Sequence, residues 1–318
     1  MPLFGWESMT CKAYRDQGVE QLSPLYPKEE AKALLGTVLE YFCGLPSYLY
    51  YTDPDRPLPT ACVCDLQNAL DDLCRAKPIQ YIIGKTLFEG CHIKVRQGVL
   101  IPRRETEELV RWAGVLLQPY LENSGNESLS ILDLCTGSGA IAIALAKMFP
   151  QASIYGVDIS KEALAVAEDN NLINQTKVSF FNADVLHSPA SPFSLSPHSV
   201  DLIMSNPPYV CESEKEQMHN NVLLYEPALA LFVPDNDPLL FYRAIAEWGN
   251  AFLKEKGLLV MEINERMAWE VKNLLQSHGF QKVTIKEDFN GKPRMCFAIK
   301  SFPMRRSARS RQSQCPGR

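Results

Sequence analysis

The hydrophobic rhythm of the chain changes twice. Between residues 27 and 77, apolar side chains recur every three or four positions: Ala31, Leu34, Leu35, Val38, Leu39 and Phe42, then Leu66, Ala69, Leu70 and Leu73. That spacing predicts amphipathic helices. Gly44 and Pro46 stop the first, and prolines between 54 and 59 make a turn before the second. No catalytic residue types stand in a suggestive arrangement here, so the stripes predict packing within a small helical domain. From 86 to 101 the period shortens, with Leu87, Ile93, Val95, Val99 and Leu100 set around Gly90 and Gly98. This pattern predicts a short β-hairpin. A helix over 105–117 and a loop at 123–126 follow.

After Ser128 strands and helices alternate. Strands are predicted over 129–134, 153–157, 178–181, 200–204, 257–263, 282–286 and 295–299. Helices are predicted over 140–149, 161–172, 239–253 and 267–278, with a Ser/Pro loop at 189–199. Alternation of this kind predicts the α/β class: a Rossmann-like, doubly wound, mostly parallel seven-stranded sheet. Its two consecutive final strands predict an antiparallel C-terminal hairpin. The expected divisions are a helical substrate-binding domain at 1–85, a β-hairpin linker at 86–104, the α/β domain at 105–302 and a basic tail at 303–318.

Composition narrows the classes. A chain of 318 residues accommodates one large domain and a smaller one. No apolar run reaches the roughly 18 residues that span a bilayer, and the N-terminus lacks the apolar core of a signal peptide. A soluble, cytoplasmic protein is expected. The ten cysteines include no CxxC, the closest pair being Cys62 and Cys64. They are expected to be reduced thiols acting as small apolar residues. Neither they nor the five histidines form a metal motif, so no metal is expected. A net charge of −5 argues against a general nucleic-acid binder. Arg305, Arg306, Arg309, Arg311 and Arg318 share a tail without acids, which is expected to be a solvated end.

The first strand of the α/β region runs into Cys135-Thr136-Gly137-Ser138-Gly139. Glycines at a strand-to-helix turn let a ligand approach the backbone closely. Asp158 ends the second strand, where a carboxylate can accept both hydroxyls of a ribose. Asp184 follows the third strand, where an acid can receive an adenine amino group. The three positions together indicate an adenosine cofactor. Which one stays open at this point, because Gly137-x-Gly139-x-x-Ala142 also satisfies the dinucleotide pattern.

The fourth strand delivers Asn206-Pro207-Pro208-Tyr209, which separates the candidates. The nitrogen of a planar amide or ring amine has its lone pair conjugated away. To attack a methyl sulfonium it must turn tetrahedral, with the lone pair aimed at the methyl carbon. Two acceptors at its protons favour that change, and Asn206 Oδ1 and the Pro207 carbonyl are the candidates. Prolines fix φ here and add no competing N–H. Tyr209 supplies a flat face for a planar group. Methyl transfer is a direct displacement that needs alignment and electrostatics more than a strong base. A nicotinamide-dependent oxidoreductase would leave this tetrapeptide unexplained.

At these residues the chain resembles a known family. The (D/N)PP(Y/F) motif occurs in methyltransferases of amino groups on planar systems. The stretch from Gln80 to Ile299 resembles the protein-(glutamine-N5) methyltransferases of class I release factors, the HemK/PrmC family. Gln80-Tyr-Ile-Ile-Gly84, Leu100-Ile-Pro-Arg103, Glu105-Thr106-Glu107, Tyr225-Glu-Pro-Ala228 and Asp288 to Arg294 carry the likeness, beside the motifs above. The resemblance implies the class I methyltransferase fold, with S-adenosyl-L-methionine bound by Cys135, Thr136, Gly137, Ser138, Gly139, Asp158, Asp184, Val185 and Asn206. It implies that Asn206, Pro207, Pro208 and Tyr209 hold the substrate glutamine in a release factor's GGQ loop, with Asn206, Pro207 and Tyr209 catalytic. The implied partner is a class I release factor, with no membrane and no direct nucleic-acid substrate, and the enzyme is expected to act as a monomer. Another protein glutamine, on a ribosomal protein, is the alternative. An adenine-N6 DNA methyltransferase is less favoured, because it would need a basic target-recognition region.

Two positions depart from the family pattern. Arg104 replaces a proline, and Cys135 stands where the family has glycine. A cysteine suits that loop so long as its φ stays negative. Glu105-Thr106-Glu107 favours the release-factor branch over the ribosomal-protein one.

Overall fold

Thr10 caps the first helix of the computed structural model, its hydroxyl accepting from the Ala13 N–H at 3.2 Å. The structure describes residues 9–123, 128–187 and 195–301. That helix, α1 (Cys11–Leu22), was not expected from the hydrophobic pattern. Its inward face is Cys11, Tyr14, Gly18 and Leu22, and a glycine and a tyrosine dilute the apolar stripe. Gly18 is there for close approach: a Cβ on it would lie 2.7 Å from Leu35 Cδ2 of the next helix. α2 (Lys28–Cys43) ends at Gly44, whose φ of 64° suits only glycine well. α3 (Leu49–Thr52), α4 (Val63–Cys74) and α5 (Ile79–Ile83) complete a core around Tyr14, Leu35, Leu39, Leu66 and Leu70.

One expectation fails here. Cys43 and Cys62 are joined as a disulfide, with Cα atoms 5.7 Å apart, where all cysteines were expected to be reduced. The pairing arises because the end of α2 meets the turn before α4, a tertiary contact that sequence spacing does not reveal. Among the described residues the other seven cysteines are free. No helix among them is long and apolar enough to cross a membrane.

The predicted hairpin is present as β1 (Lys85–Phe88) and β2 (Cys91–Lys94), paired antiparallel. α6 (Arg104–Asn123) runs beyond its expected end through Pro119. The loop expected at 123–126, most of the Ser/Pro loop and the tail lie outside the described residues. β3 (Ser130–Leu134), α7 (Ala140–Met148), β4 (Ser153–Asp158), α8 (Lys161–Ile173), β5 (Val178–Asn182) and β6 (Val200–Ser205) follow the predicted order. An excursion the sequence did not reveal then carries β7 (Val210–Cys211), α9 (Asn220–Tyr225), α10 (Ala228–Leu231) and β8 (Phe232–Val233). The chain closes with α11 (Leu240–Phe252), β9 (Leu253–Glu262), α12 (Ala268–Ser277), β10 (Gln281–Glu287) and β11 (Pro293–Ile299).

The main sheet has seven strands in the order β10-β11-β9-β6-β3-β4-β5. Five are parallel, and β11 runs antiparallel between β10 and β9. From β3 the chain winds outward through β4 and β5, then returns to lay β6 on the other side of β3. The carboxyl ends of β3 and β6 are therefore the topological switch point, where doubly wound sheets hold their ligands. Two cores flank the sheet, one under α6 and α7 and one under α11 and α12.

The hairpin is gripped by two asparagines, Asn170 in α8 and Asn174 at its C-cap. Asn170 Oδ1 accepts from the Lys94 N–H at 2.7 Å and its Nδ2 donates to the Lys94 carbonyl at 3.1 Å. Asn174 does the same at His92, accepting at 3.1 Å and donating at 2.8 Å. Four residues of helix advance about 6 Å and two of strand about 6.6 Å. Side chains at i and i+4 can thus match alternate peptide groups of an edge strand.

Candidate active site

Three positive φ values shape the loop after β3: 60° at Cys135, 55° at Gly137 and 78° at Gly139. The condition set for a cysteine in this loop, a negative φ, is therefore not met. A cysteine occupies a left-handed conformation that costs about 1–2 kcal/mol for a residue with a Cβ. The surroundings impose it: the Thr136 N–H donates to the Val157 carbonyl at 2.9 Å, and the Ser205 hydroxyl donates to the Leu134 carbonyl at 2.7 Å. Burial pushes the Cys135 thiol well above its usual range, which leaves it a poor nucleophile. Gly139 has a steric role, since a Cβ there would lie 2.9 Å from the Phe180 ring.

Asp158 ends β4. Its Oδ2 accepts from the Gly137 N–H at 2.8 Å and its Oδ1 from the Ser160 N–H at 2.9 Å. Burial raises this carboxyl, and the backbone hydrogen bonds oppose the rise. Each oxygen keeps a lone pair for a further donor, which fits the paired hydroxyls of a ribose. Asp184 Oδ1 accepts from the Leu186 N–H at 2.9 Å, and Oδ2 lies 2.8 Å from His187 Nδ1. Val185 is buried, and its carbonyl accepts from Trp248 Nε1 at 3.0 Å. Near the carboxyl end of β3, Asp133 is wholly buried and is pushed up to about 7 by that burial, while accepting from the Thr136 hydroxyl at 2.5 Å.

These loops enclose a cavity of about 370 Å³ at the switch point, within the range of small-ligand sites. Cys135, Thr136, Gly137, Ser138, Asp158, Asp184, Val185, Asn206 and Pro208 are in its wall. Gly139, Pro207 and Tyr209 are not among its lining residues. Segments from elsewhere close the cavity: Gly98 to Leu100, Pro102 and Thr106 on one side, Pro227, Leu229 and Ala230 on another. Glu226 fastens the two together, accepting from the Ile101 N–H at 3.2 Å and from Arg103 at 2.5 Å.

Behind Asn206 lies a network that sequence reasoning missed. Asn206 Nδ2 donates to Thr106 Oγ1 at 3.1 Å, the Thr106 hydroxyl donates to Glu262 Oε2 at 2.6 Å, and the Tyr209 hydroxyl donates to Glu262 Oε1 at 2.7 Å. Burial and the neighbouring Glu262 push the Tyr209 phenol up. Glu262 carried a signal, a single acid closing the apolar run of β9. In Glu105-Thr106-Glu107 the acids drew notice, yet Thr106 is the buried member. Arg104 is the exposed first residue of α6 and leaves the turn into that helix intact.

Fold and site together define a class I S-adenosylmethionine-dependent methyltransferase. Residues 112–231 match the family model described as Methyltransferase small domain. The chain is 41% identical to the release factor glutamine methyltransferase of Flavobacterium psychrophilum over 90% of its length and 98% of that protein. It is 39% identical to the enzyme of the same name from Bacteroides thetaiotaomicron, over 88% and 96%. The chain belongs to the release factor glutamine methyltransferase family. Among solved structures, the hMettl16 catalytic domain shares the fold, with a TM-score of 0.50, 14% identity and coverage of 72% of this chain and 84% of that one.

Two outcomes test this geometry. Asp158→Ala is expected to weaken S-adenosylmethionine binding by about 1.5–3 kcal/mol, the scale of hydrogen bonds to a charged group; calorimetry showing unchanged affinity would remove Asp158 from the ribose position. Cys135→Val is expected to be less stable than Cys135→Gly by about 1–2 kcal/mol, because a β-branched residue resists positive φ. Urea unfolding of the two variants measures the difference, and equal stabilities would count against the strained conformation.

Proposed function

We propose that the chain methylates the side-chain amide nitrogen of the glutamine in the GGQ loop of class I release factors. In this reading Cys135 to Gly139, Asp158, Asp184, Val185 and Asn206 hold the cofactor. Bound S-adenosylmethionine supplies an electrophilic methyl carbon. Asn206 Oδ1 and the Pro207 carbonyl accept the two protons of the substrate amide, which turns its nitrogen lone pair outward. Pro208 and Tyr209 give the amide a flat, rigid surround, and Tyr209 is itself held by Glu262.

The observation that carries the reading is the adjacency of two loops at one cavity. The adenosine-type loop leaves β3 and Asn206-Pro207-Pro208-Tyr209 leaves β6, and these strands are hydrogen-bonded neighbours. An amide held beside Asn206 is thereby next to whatever occupies the loop. The residues present fit that cofactor: Asp158 has free lone pairs on both oxygens, and the cavity reaches from Asp184 to Asn206. Identity to relatives named for release factor glutamine methylation supports the substrate. The negative net charge favours a protein partner over a nucleic acid. The helical segment before β1 is proposed to dock the release factor. It touches the cavity's surround through the Tyr225 hydroxyl, which donates to the Arg75 carbonyl at 2.9 Å. Action as a monomer in the cytoplasm, where release factors meet ribosomes, completes the proposal.

Mass spectrometry of release factor incubated with enzyme and S-adenosylmethionine is expected to show a gain of one methylene unit on the GGQ glutamine. Methylation of a ribosomal protein or of DNA adenine instead would overturn the reading. Asn206→Ala is expected to cut methyl transfer by about 100-fold or more, the scale of losing one transition-state contact. Cofactor affinity should change far less, and equal losses in both would speak against the clamp.

A further inference from the structure

An asparagine side chain has nearly the same shape with its oxygen and nitrogen exchanged, so packing alone cannot say which end faces the cavity. The clamp works only one way round. Turned over, Asn206 would present an NH2 to the substrate's NH2, and two donors would meet.

The atoms behind Asn206 break that symmetry. Glu262 is the last residue of β9 and 1% exposed. β9 pairs with β6 so that Met261 faces Ser205, which brings Glu262 beside Asn206. A carboxylate has no proton to give, and both its oxygens receive hydroxyls, from Tyr209 at 2.7 Å and Thr106 at 2.6 Å. Those separations are in the range of charge-assisted O–H···O⁻ bonds. Burial pushes the Glu262 carboxyl up, while the two hydroxyls and nearby Arg294 act against the rise. Thr106 has a single proton, which points at Glu262. Toward Asn206 its oxygen can only accept, and the atom it accepts from at 3.1 Å is Nδ2.

We infer that Thr106 and Glu262 are positioning residues that set the polarity of the Asn206 amide, turning Oδ1 toward the substrate. The inference rests on the clamp proposed above. It assigns a reaction role to a threonine on α6, a hundred residues upstream of the loop it controls. Glu262 is the origin of the ordering and Thr106 converts its negative charge into a directed lone pair. Tyr209 is fixed by the same carboxylate, so one buried acid orients two members of the Asn206–Tyr209 loop.

The test uses the full chain with asparagine side-chain amides labelled with ¹⁵N, and compares the wild type with Thr106→Val and Thr106→Ser. Nuclear magnetic resonance of the free enzyme is expected to show one Asn206 Nδ2 proton protected from exchange. The protection should be lost in Thr106→Val and kept in Thr106→Ser. In steady-state assays Thr106→Val should lower kcat by about 10- to 100-fold, the scale of a misplaced hydrogen bond, with a much smaller change in cofactor affinity. Thr106→Ser should stay within a few-fold of wild type. No protected proton in the wild type overturns the inference, as does a Thr106→Val enzyme with wild-type kcat. A serine variant as impaired as the valine one also overturns it, since the methyl group would then be what matters. A protected proton in an enzyme that fails to methylate release factor leaves the amide orientation standing and overturns the substrate reading.

Discussion

Parallel pairing of β3 with β6 sets Leu134 opposite Ser205, and the Ser205 hydroxyl fastens the two strand ends through the Leu134 carbonyl. The loops that follow leave the sheet side by side in the same direction. One carries the glycines and the other carries Asn206. Their helical connections diverge to opposite faces of the sheet, so no crossover covers the gap between them. A shift in that register would part the two loops while leaving every element intact.

Around that fixed pair the rest of the site is assembled from distant segments. Pro102 comes from the approach to α6 and Thr106 from its first turn, and Pro227 to Ala230 from the excursion between β6 and α11. Arg103 and Glu226 join them, with the Glu226 carboxylate almost fully buried and Arg103 partly open to water. Removing one partner of such a pair leaves a buried charge without compensation, which costs more than the pair contributes. The wall is thus held in part by polar contacts whose loss is expensive.

Much of this was legible in the residues. Alternation after Ser128 was enough to place the sheet's seven strands, because each is a short apolar run between turn formers. Asp158 and Asn206 could be placed because they end such runs. The excursion over 210–233 was invisible, since its helices are four to six residues long and give no period to read. α1 was missed because Cys11, Tyr14 and Gly18 do not register as an apolar stripe, although they pack as one. The Cys43–Cys62 bond, the φ of Cys135 and the link between Thr106 and Glu262 depend on residues meeting across the fold, and sequence spacing does not encode a meeting.

Asn170 shows how such a meeting constrains a position that touches no ligand. Beyond its grip on Lys94, its Nδ2 also donates to the Ser138 carbonyl at 3.0 Å, with no surface exposed. One amide serves an edge strand and the loop after β3 together, accepting once and donating twice. Aspartate has no protons to donate, leucine would strand the peptide groups of both segments, and glutamine is a methylene too long. The amide of residue 170 is accordingly specified by the peptide groups it serves, with no ligand needed to require it.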